Sequence, residues 1–296
     1  MKHAILGAGG VGGAIGALLG KDGDDILLLL KPESLARHPE SLKLVSSFGS
    51  FSTPVRRATS LAEPVDVLWV TVKALNLEPA LEQIPGDGAN IGAVVPLLNG
   101  VDHIPLLRAR FGHDRVVPAT IAGEFERTAP GQIVHSSPFA RLNILATGRE
   151  RLGGVLERLR KAGFACDVYE DEATLMWSKL VFLGPFALTT SASNRDAGGV
   201  MKDGEWRRKL ESSVREAVAV AQASGATVNG EKVLGLFKNM PDGMRSSMLK
   251  DVAAGRKPEL DAIGGPIVRG GKTYGIPTPV TEELMRMVES RVPQAA

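Results

Sequence analysis

MKHAILGAGGVGGAIGALLGKDGDDILLLLK, residues 1–31, sets the reading of the whole chain. His3 to Leu6 form a short apolar run that meets five glycines at positions 7, 9, 10, 12 and 13. A strand that enters such a turn lets backbone approach a ligand closely. Ala14 to Leu19 then predict a helix, and Ile26 to Leu30 a second strand. Strand, Gly-x-Gly-x-x-Gly and helix in that order make a dinucleotide fingerprint, with Gly7, Gly9 and Gly12 as its members and the pyrophosphate at the helix amino terminus. A glycine-rich turn with no ligand is the plainer alternative.

The tip of the second strand bears on which dinucleotide is bound. An acidic residue there hydrogen-bonds the ribose hydroxyls of NAD, whereas a basic one matches the 2′-phosphate of NADP. Lys31 holds the position and favours NADP. Glu33, two residues on, keeps the NAD reading open, and a solvated lysine at a strand end is the plainer reading of Lys31.

Length and composition set the frame. The 296 residues leave room for two domains with separate cores. Hydrophobic residues at 44% and charged residues at 23% suit a folded soluble protein. The formal charge of +2, from 35 basic and 33 acidic residues, offers no basic tract for nucleic acid. No long apolar span and no leading signal segment are visible, so no membrane role and a cytoplasmic location are expected. The single cysteine, Cys166, excludes an internal disulfide and a cysteine zinc cluster. Five histidines without HExxH-like spacing give no metal site.

Further along, Leu42 to Val45 and Phe51 to Val55 are strand candidates around Gly49. Val65 to Val72, VDVLWVTV, reads as a central parallel strand covered on both faces and ends at Lys73. A helix from about Glu78 to Ile84 leads to a strand over Ile91 to Leu98, which ends at Asn99-Gly100. Ligands of open parallel sheets bind beyond the carboxyl ends of strands, so Lys73 and Asn99 are expected at one crevice. Each could equally be a turn residue. A helix around Ile104 to Phe111, a strand at Val116 to Thr120, an antiparallel hairpin of Gln132–Ser136 with Arg141–Leu145, a helix over Leu152 to Ala162 and a strand at Phe164 to Val168 complete the first domain. The expected fold class is α/β, a Rossmann-like, doubly wound and mostly parallel sheet over residues 1–169, followed by an all-helical domain over 170–296.

The helical part is predicted from Ala173 to Ser191, in two pieces broken or kinked at Gly184-Pro185. Trp206 to Ala223, Glu231 to Phe237, Ser246 to Ala254, Pro258 to Tyr274 and Val280 to Val292 follow. Two stretches carry polar side chains out of proportion to packing. Met176-Trp177-Ser178-Lys179-Leu180 places a lysine inside an apolar helix, where it either snorkels or does chemistry. SSMLKDVAAGRKPELDAIGG gathers Ser246, Ser247, Asp251, Glu259 and Asp261 at two helix starts, where capping is the plainer role.

Taken together, GAGGVG at Gly7 to Gly12, Lys73 at a strand end, the LLNG turn with Asn99, WSKL with Lys179, and SSMLKD followed by RKPELD with Ser247, Glu259 and Asp261 resemble the ketopantoate reductases, the NADPH-dependent 2-dehydropantoate 2-reductase family of pantothenate biosynthesis. The resemblance covers the full length, and the second half of it is the more specific. It implies reduction of a small 2-oxo acid to a 2-hydroxy acid by NADPH, held by Gly7, Ala8, Gly9, Gly10, Val11, Gly12, Lys31, Lys73 and Asn99. It further implies Lys179 as general acid, Glu259 as its catalytic partner, and Ser247, Asn99 and Asp261 on the substrate side, with Ser247 at the carboxylate. A homodimer built on the helical domain is implied as well.

The chain departs from the family where members carry asparagines, at Leu183, near Ala187 and at Gly264. An apolar residue cannot replace an amide's donor and acceptor, and an unpaired substrate group costs on the order of 1 to 3 kcal/mol. Gly264 is expected to enlarge the local space. Another small 2-oxo acid is therefore an alternative substrate, and a non-catalytic dinucleotide-binding regulatory protein is the alternative of a different class.

Overall fold

The computed structural model describes residues 1–88 and 90–292 and divides the chain into two compact units, one of Met1–Leu98 with His103–Glu170 and one of Asn99–Asp102 with everything from Asp171 on. To the boundary near residue 169 this adds one four-residue segment, Asn99–Asp102, that belongs to the helical unit. The first unit runs β1 (Lys2–Leu6), α1 (Gly10–Lys21), β2 (Asp25–Leu29), α2 (Pro32–Leu35), β3 (Ser41–Ser46), β4 (Gly49–Pro54), β5 (Arg56–Ala58), β6 (Val65–Val70), α3 (Leu77–Leu81) and β7 (Ile91–Pro96). It continues with α4 (His103–Phe111), β8 (Ala119–Ala122), β9 (Phe125–Ala129), β10 (Gln132–His135), β11 (Arg141–Leu145), α5 (Arg149–Lys161) and β12 (Val168–Tyr169).

The central sheet has the order β5-β2-β1-β6-β7 and is parallel throughout. Successive side chains of a strand point to opposite faces, and here both faces are buried. Ile5 and Trp69 join a core with Ile15 of α1 and Leu152 of α5, while Leu6 and Leu68 join another with Leu107 and Phe111 of α4. That is the doubly wound arrangement. Beyond β7, a parallel bridge between Val94 and Val116 leads to β8, β11 and β12, in which β8 and β11 are antiparallel. A separate sheet, β4-β3-β10-β9, packs its Leu42 and Ile133 on α1.

The expected pairing of Gln132–Ser136 with Arg141–Leu145 does not form. Instead, β10 pairs with β3 and β9, and β11 with β8 and β12. The segment between them is bent by side chains: Ser137 Oγ donates to the Phe139 carbonyl at 2.7 Å and accepts from the Glu124 amide at 2.9 Å. The hairpin is one element earlier, β9 with β10 about Gly131 (φ +71°). FERTA is largely exposed and polar, so no apolar pattern announces its strand.

The second unit comprises α6 (Glu172–Ser193), α7 (Ala197–Lys202), α8 (Gly204–Ala223), α9 (Gly230–Lys238), α10 (Ser247–Ala253), α11 (Leu260–Tyr274) and α12 (Pro279–Glu289). Asp171 caps α6 by accepting from the Thr174 amide at 2.6 Å, and Asn194 ends it in the left-handed conformation (φ 57°). Pro185 lies inside α6, which runs as one helix instead of two. A helix-interior proline costs about 3 kcal/mol. Burial offsets this cost: Gly184 through Ala192 are all buried, and Gly184 lets Ile267 of α11 approach so closely that an added Cβ would stand 2.8 Å from Ile267 Cδ1. No helix among the described residues is long and apolar enough to cross a membrane.

Candidate active site

Within the first unit the glycines divide the work between turn, packing and access. Gly7 has φ +106°, a left-handed value that favours glycine, and its Cβ would stand 2.8 Å from the Val72 amide. Gly12 on α1 would place a Cβ 2.3 Å from the Gly7 carbonyl and from Thr71 Oγ1, and Gly10 would place one 2.1 Å from the Phe125 carbonyl. Those two glycines are fixed by packing. Gly9 is different, because nothing stands within 4 Å of its Cβ position. It precedes α1 as the N-cap residue, and among the described residues no side chain caps that helix. An open backbone next to uncapped amides is what a pyrophosphate requires, so the loop fits a dinucleotide. Ala8 is buried and Val11 half-buried in the same loop. Lys31 is exposed at the start of α2, and Lys73 is exposed at the start of a 3-10 turn, Ala74–Asn76. Among the described residues no group of His, Cys, Asp or Glu is placed to hold a metal ion.

The second unit brings three of the expected residues together. Lys179 Nζ on α6 donates to Asn99 Oδ1 at 2.9 Å, and Asn99 Nδ2 donates to Glu259 Oε2 at 3.0 Å. Asn99 is thus gripped from both ends, which fixes which way its amide faces. Glu259, 8% exposed, is the N-cap residue of α11, where its side chain makes no capping bond. Burial of the Lys179 ammonium outweighs the attraction of Glu259 and brings its pKa down to about 8. A lysine that merely snorkels would keep its head in water.

Other expected residues lie outside this cluster. Ser247 is exposed at the first position of α10, and it is Ser246 that caps the helix, accepting from the Leu249 amide at 3.1 Å while bonded to Thr190 Oγ1 at 2.8 Å. Asp251 pairs with Arg256 at 2.8 Å near the end of α10. Asp261 is turned to Arg269, at 2.6 Å, on the exposed side of α11. Lys73 belongs to the first unit and Asn99 to the second.

The expectation of extra room at Gly264 is corrected. A Cβ there would stand 2.6 Å from Met285 Sδ, so α12 fills the space. Leu183, one turn beyond Lys179, belongs to the same apolar cluster as Ala187, Ile263 and Met285. Sequence reasoning missed Met285, Asp102 and Arg269. Arg269 lies two turns after Asp261 on one helix, a spacing that could have drawn attention to it.

A Rossmann-like unit followed by a helical unit that holds a half-buried lysine against an amide and a carboxylate defines a class, the two-unit oxidoreductases built on a dinucleotide-binding fold. Residues 3–146 match the family described as Ketopantoate reductase PanE/ApbA, and residues 172–291 match its C-terminal counterpart. The chain belongs to the ketopantoate reductase family. It is 29% identical to a 2-dehydropantoate 2-reductase of Caulobacter vibrioides, over 97% of this chain and 98% of that one. Among solved structures, the 2-dehydropantoate 2-reductase of Geobacter metallireducens GS-15 superposes with a TM-score of 0.86 at 25% identity, covering 98% of this chain and 99% of that chain. A D-mandelate dehydrogenase solved with NADH and anilino(oxo)acetate superposes with a TM-score of 0.85 at 21% identity, covering 98% of each chain.

Proposed function

We propose that this protein reduces ketopantoate, or a closely related 2-oxo acid, to the 2-hydroxy acid with NADPH as cofactor. The Lys179–Asn99–Glu259 cluster carries the reading. NADPH, when bound, supplies the hydride. Gly9 and the start of α1 hold its pyrophosphate, Lys31 meets the 2′-phosphate, and Lys73 serves the nicotinamide ribose.

Lys179 polarises the keto oxygen and gives it a proton as the carbonyl carbon is reduced. The lysine is left neutral and regains its proton from water. With a pKa of about 8 it is mostly protonated at neutral pH, yet a far better acid than an ordinary lysine. Asn99 and Glu259 hold the ammonium in place, and Ser247 takes the substrate carboxylate.

The apolar surroundings of Leu183 support a second reading of the substrate. With Met285 over Gly264, the end of the site beyond Lys179 offers a hydroxyl little to bond. The structural neighbour solved with an aryl-bearing oxo acid points the same way. Sites that bond a hydroxyl reject analogues lacking it by about 10⁴-fold or more, whereas apolar sites discriminate weakly. NADPH oxidation over ketopantoate, 2-oxoisovalerate, pyruvate and aromatic 2-oxo acids tests the proposal, run also with NADH and with Lys31→Ala. The expected result is ketopantoate turnover with a preference over 2-oxoisovalerate well below about 10⁴-fold, and a larger loss for NADPH than for NADH in Lys31→Ala. Turnover of no 2-oxo acid would replace this reading with the non-catalytic one, and equal losses for the two cofactors would remove Lys31 from the 2′-phosphate.

A further inference from the structure

Asn99 is a loop residue, yet the cluster above needs it held to a fraction of an ångström. Three features fasten its loop to the helical unit, two of them directly to α11. Gly100 has φ +84° and lies so close to the first turn of α11 that a Cβ would stand 2.2 Å from the Ala262 carbonyl. Val101 packs on the helical core. The third is a charge bridge: Arg269 Nη2 donates to Asp102 Oδ2 at 2.5 Å and Nη1 to Asp261 Oδ1 at 2.6 Å. Asp102 is three residues from Asn99, and Asp261 is two from Glu259. One guanidinium therefore joins the two segments that supply the partners of Lys179.

Gly265 is part of the device. Its Cβ would stand 2.5 and 2.6 Å from the two terminal nitrogens of Arg269, so the guanidinium lies across the helix where any larger residue would push it away. Arg269, Asp102 and Asp261 are 49%, 54% and 77% exposed. Exposed ion pairs contribute about 0 to 1 kcal/mol to stability, so fold stability alone does not explain the arrangement. Direction does, since a planar guanidinium holds two carboxylates at a fixed spacing, which a lysine cannot.

We propose that Arg269 is a positioning residue that, through Asp102 and Asp261, fixes the Asn99 amide between Lys179 and Glu259. Its kinetic consequence rests on the reading of Lys179 as proton donor, whereas the positioning itself does not. Exchange of the Asn99 side-chain amide protons with solvent, followed by NMR, reads the positioning directly. Arg269→Gln, Asp102→Asn and Gly265→Ala are each expected to speed this exchange by at least about tenfold. Lys209→Gln, which breaks the unrelated Lys209–Glu283 pair, should leave it unchanged.

In 2-oxo acid reduction, Arg269→Gln should lower kcat by roughly tenfold with KM and NADPH affinity within about twofold, since small misplacements act on the chemical step. Arg269→Lys should recover part of the loss. The Arg269→Gln/Asp102→Asn pair should be no worse than the poorer single variant, because both act through one bridge. Exchange at the wild-type rate in both Arg269→Gln and Gly265→Ala would overturn the proposal. So would faster exchange accompanied by a fall of several degrees in Tm, which would mark Arg269 as merely structural. If the wild type reduces no 2-oxo acid, the exchange measurement still decides the clamp, so the two readings fail separately.

Discussion

At the scale of single residues, the balance at Lys179 is between desolvation and one carboxylate. Desolvation is the larger effect, and the folded pKa falls to about 8 from the usual lysine value. Two consequences have opposite signs with pH. Turnover should fall as pH rises through about 8, because a neutral amine cannot donate the proton. Stability should rise over the same range and up to the unfolded pKa of about 10.4, because there the unfolded chain binds more protons than the folded one. Denaturant melts of the wild type and Lys179→Met at pH 7.5 and pH 10 check the second point. The wild type should gain on the variant between the two pH values, and a constant gap would show that the ammonium is not desolvated.

At the scale of elements, the glycine loop gives a test that separates packing from binding. Gly12→Ala pushes a methyl into the Gly7 carbonyl and Thr71, so Tm should fall by several degrees. Gly9→Ala meets nothing within 4 Å and has an ordinary negative φ (−84°), so Tm should hold while NADPH affinity drops by tenfold or more, as expected where backbone must approach a phosphate. Loss of affinity in neither variant would remove the loop from the cofactor site. The strands flanking this loop were legible in the sequence because β1, β2, β6 and β7 are buried on both faces and read as continuous apolar runs. Where tertiary contacts decide, legibility ends. Pro185 reads as a break, but burial on every side carries α6 through it, and the Ser137 bend that parts β10 from β11 rests on side-chain bonds with no periodic signature.

At the scale of the whole molecule, the chain distributes its chemistry unevenly. The glycine loop, legible from one local motif, lies in the sheet-bearing unit, and the Lys179–Asn99–Glu259 cluster lies in the helical one. The cluster joins residues 80 and 160 positions apart, so no local pattern shows that they touch; the sequence offered only their membership in separate short motifs. Met285 was invisible for the same reason, since it meets Gly264 from another helix. The proposed function gives the acid chemistry to the lysine of this cluster and the cofactor to the glycine loop. It is tested most directly by comparing wild type and Lys179→Ala for NADPH affinity by fluorescence titration and for NADPH oxidation by ketopantoate and 2-oxoisovalerate. NADPH affinity is expected to stay within about twofold of wild type while turnover falls by about 10² to 10⁴-fold or more, whereas turnover close to the wild-type rate in Lys179→Ala would remove the lysine from the acid role.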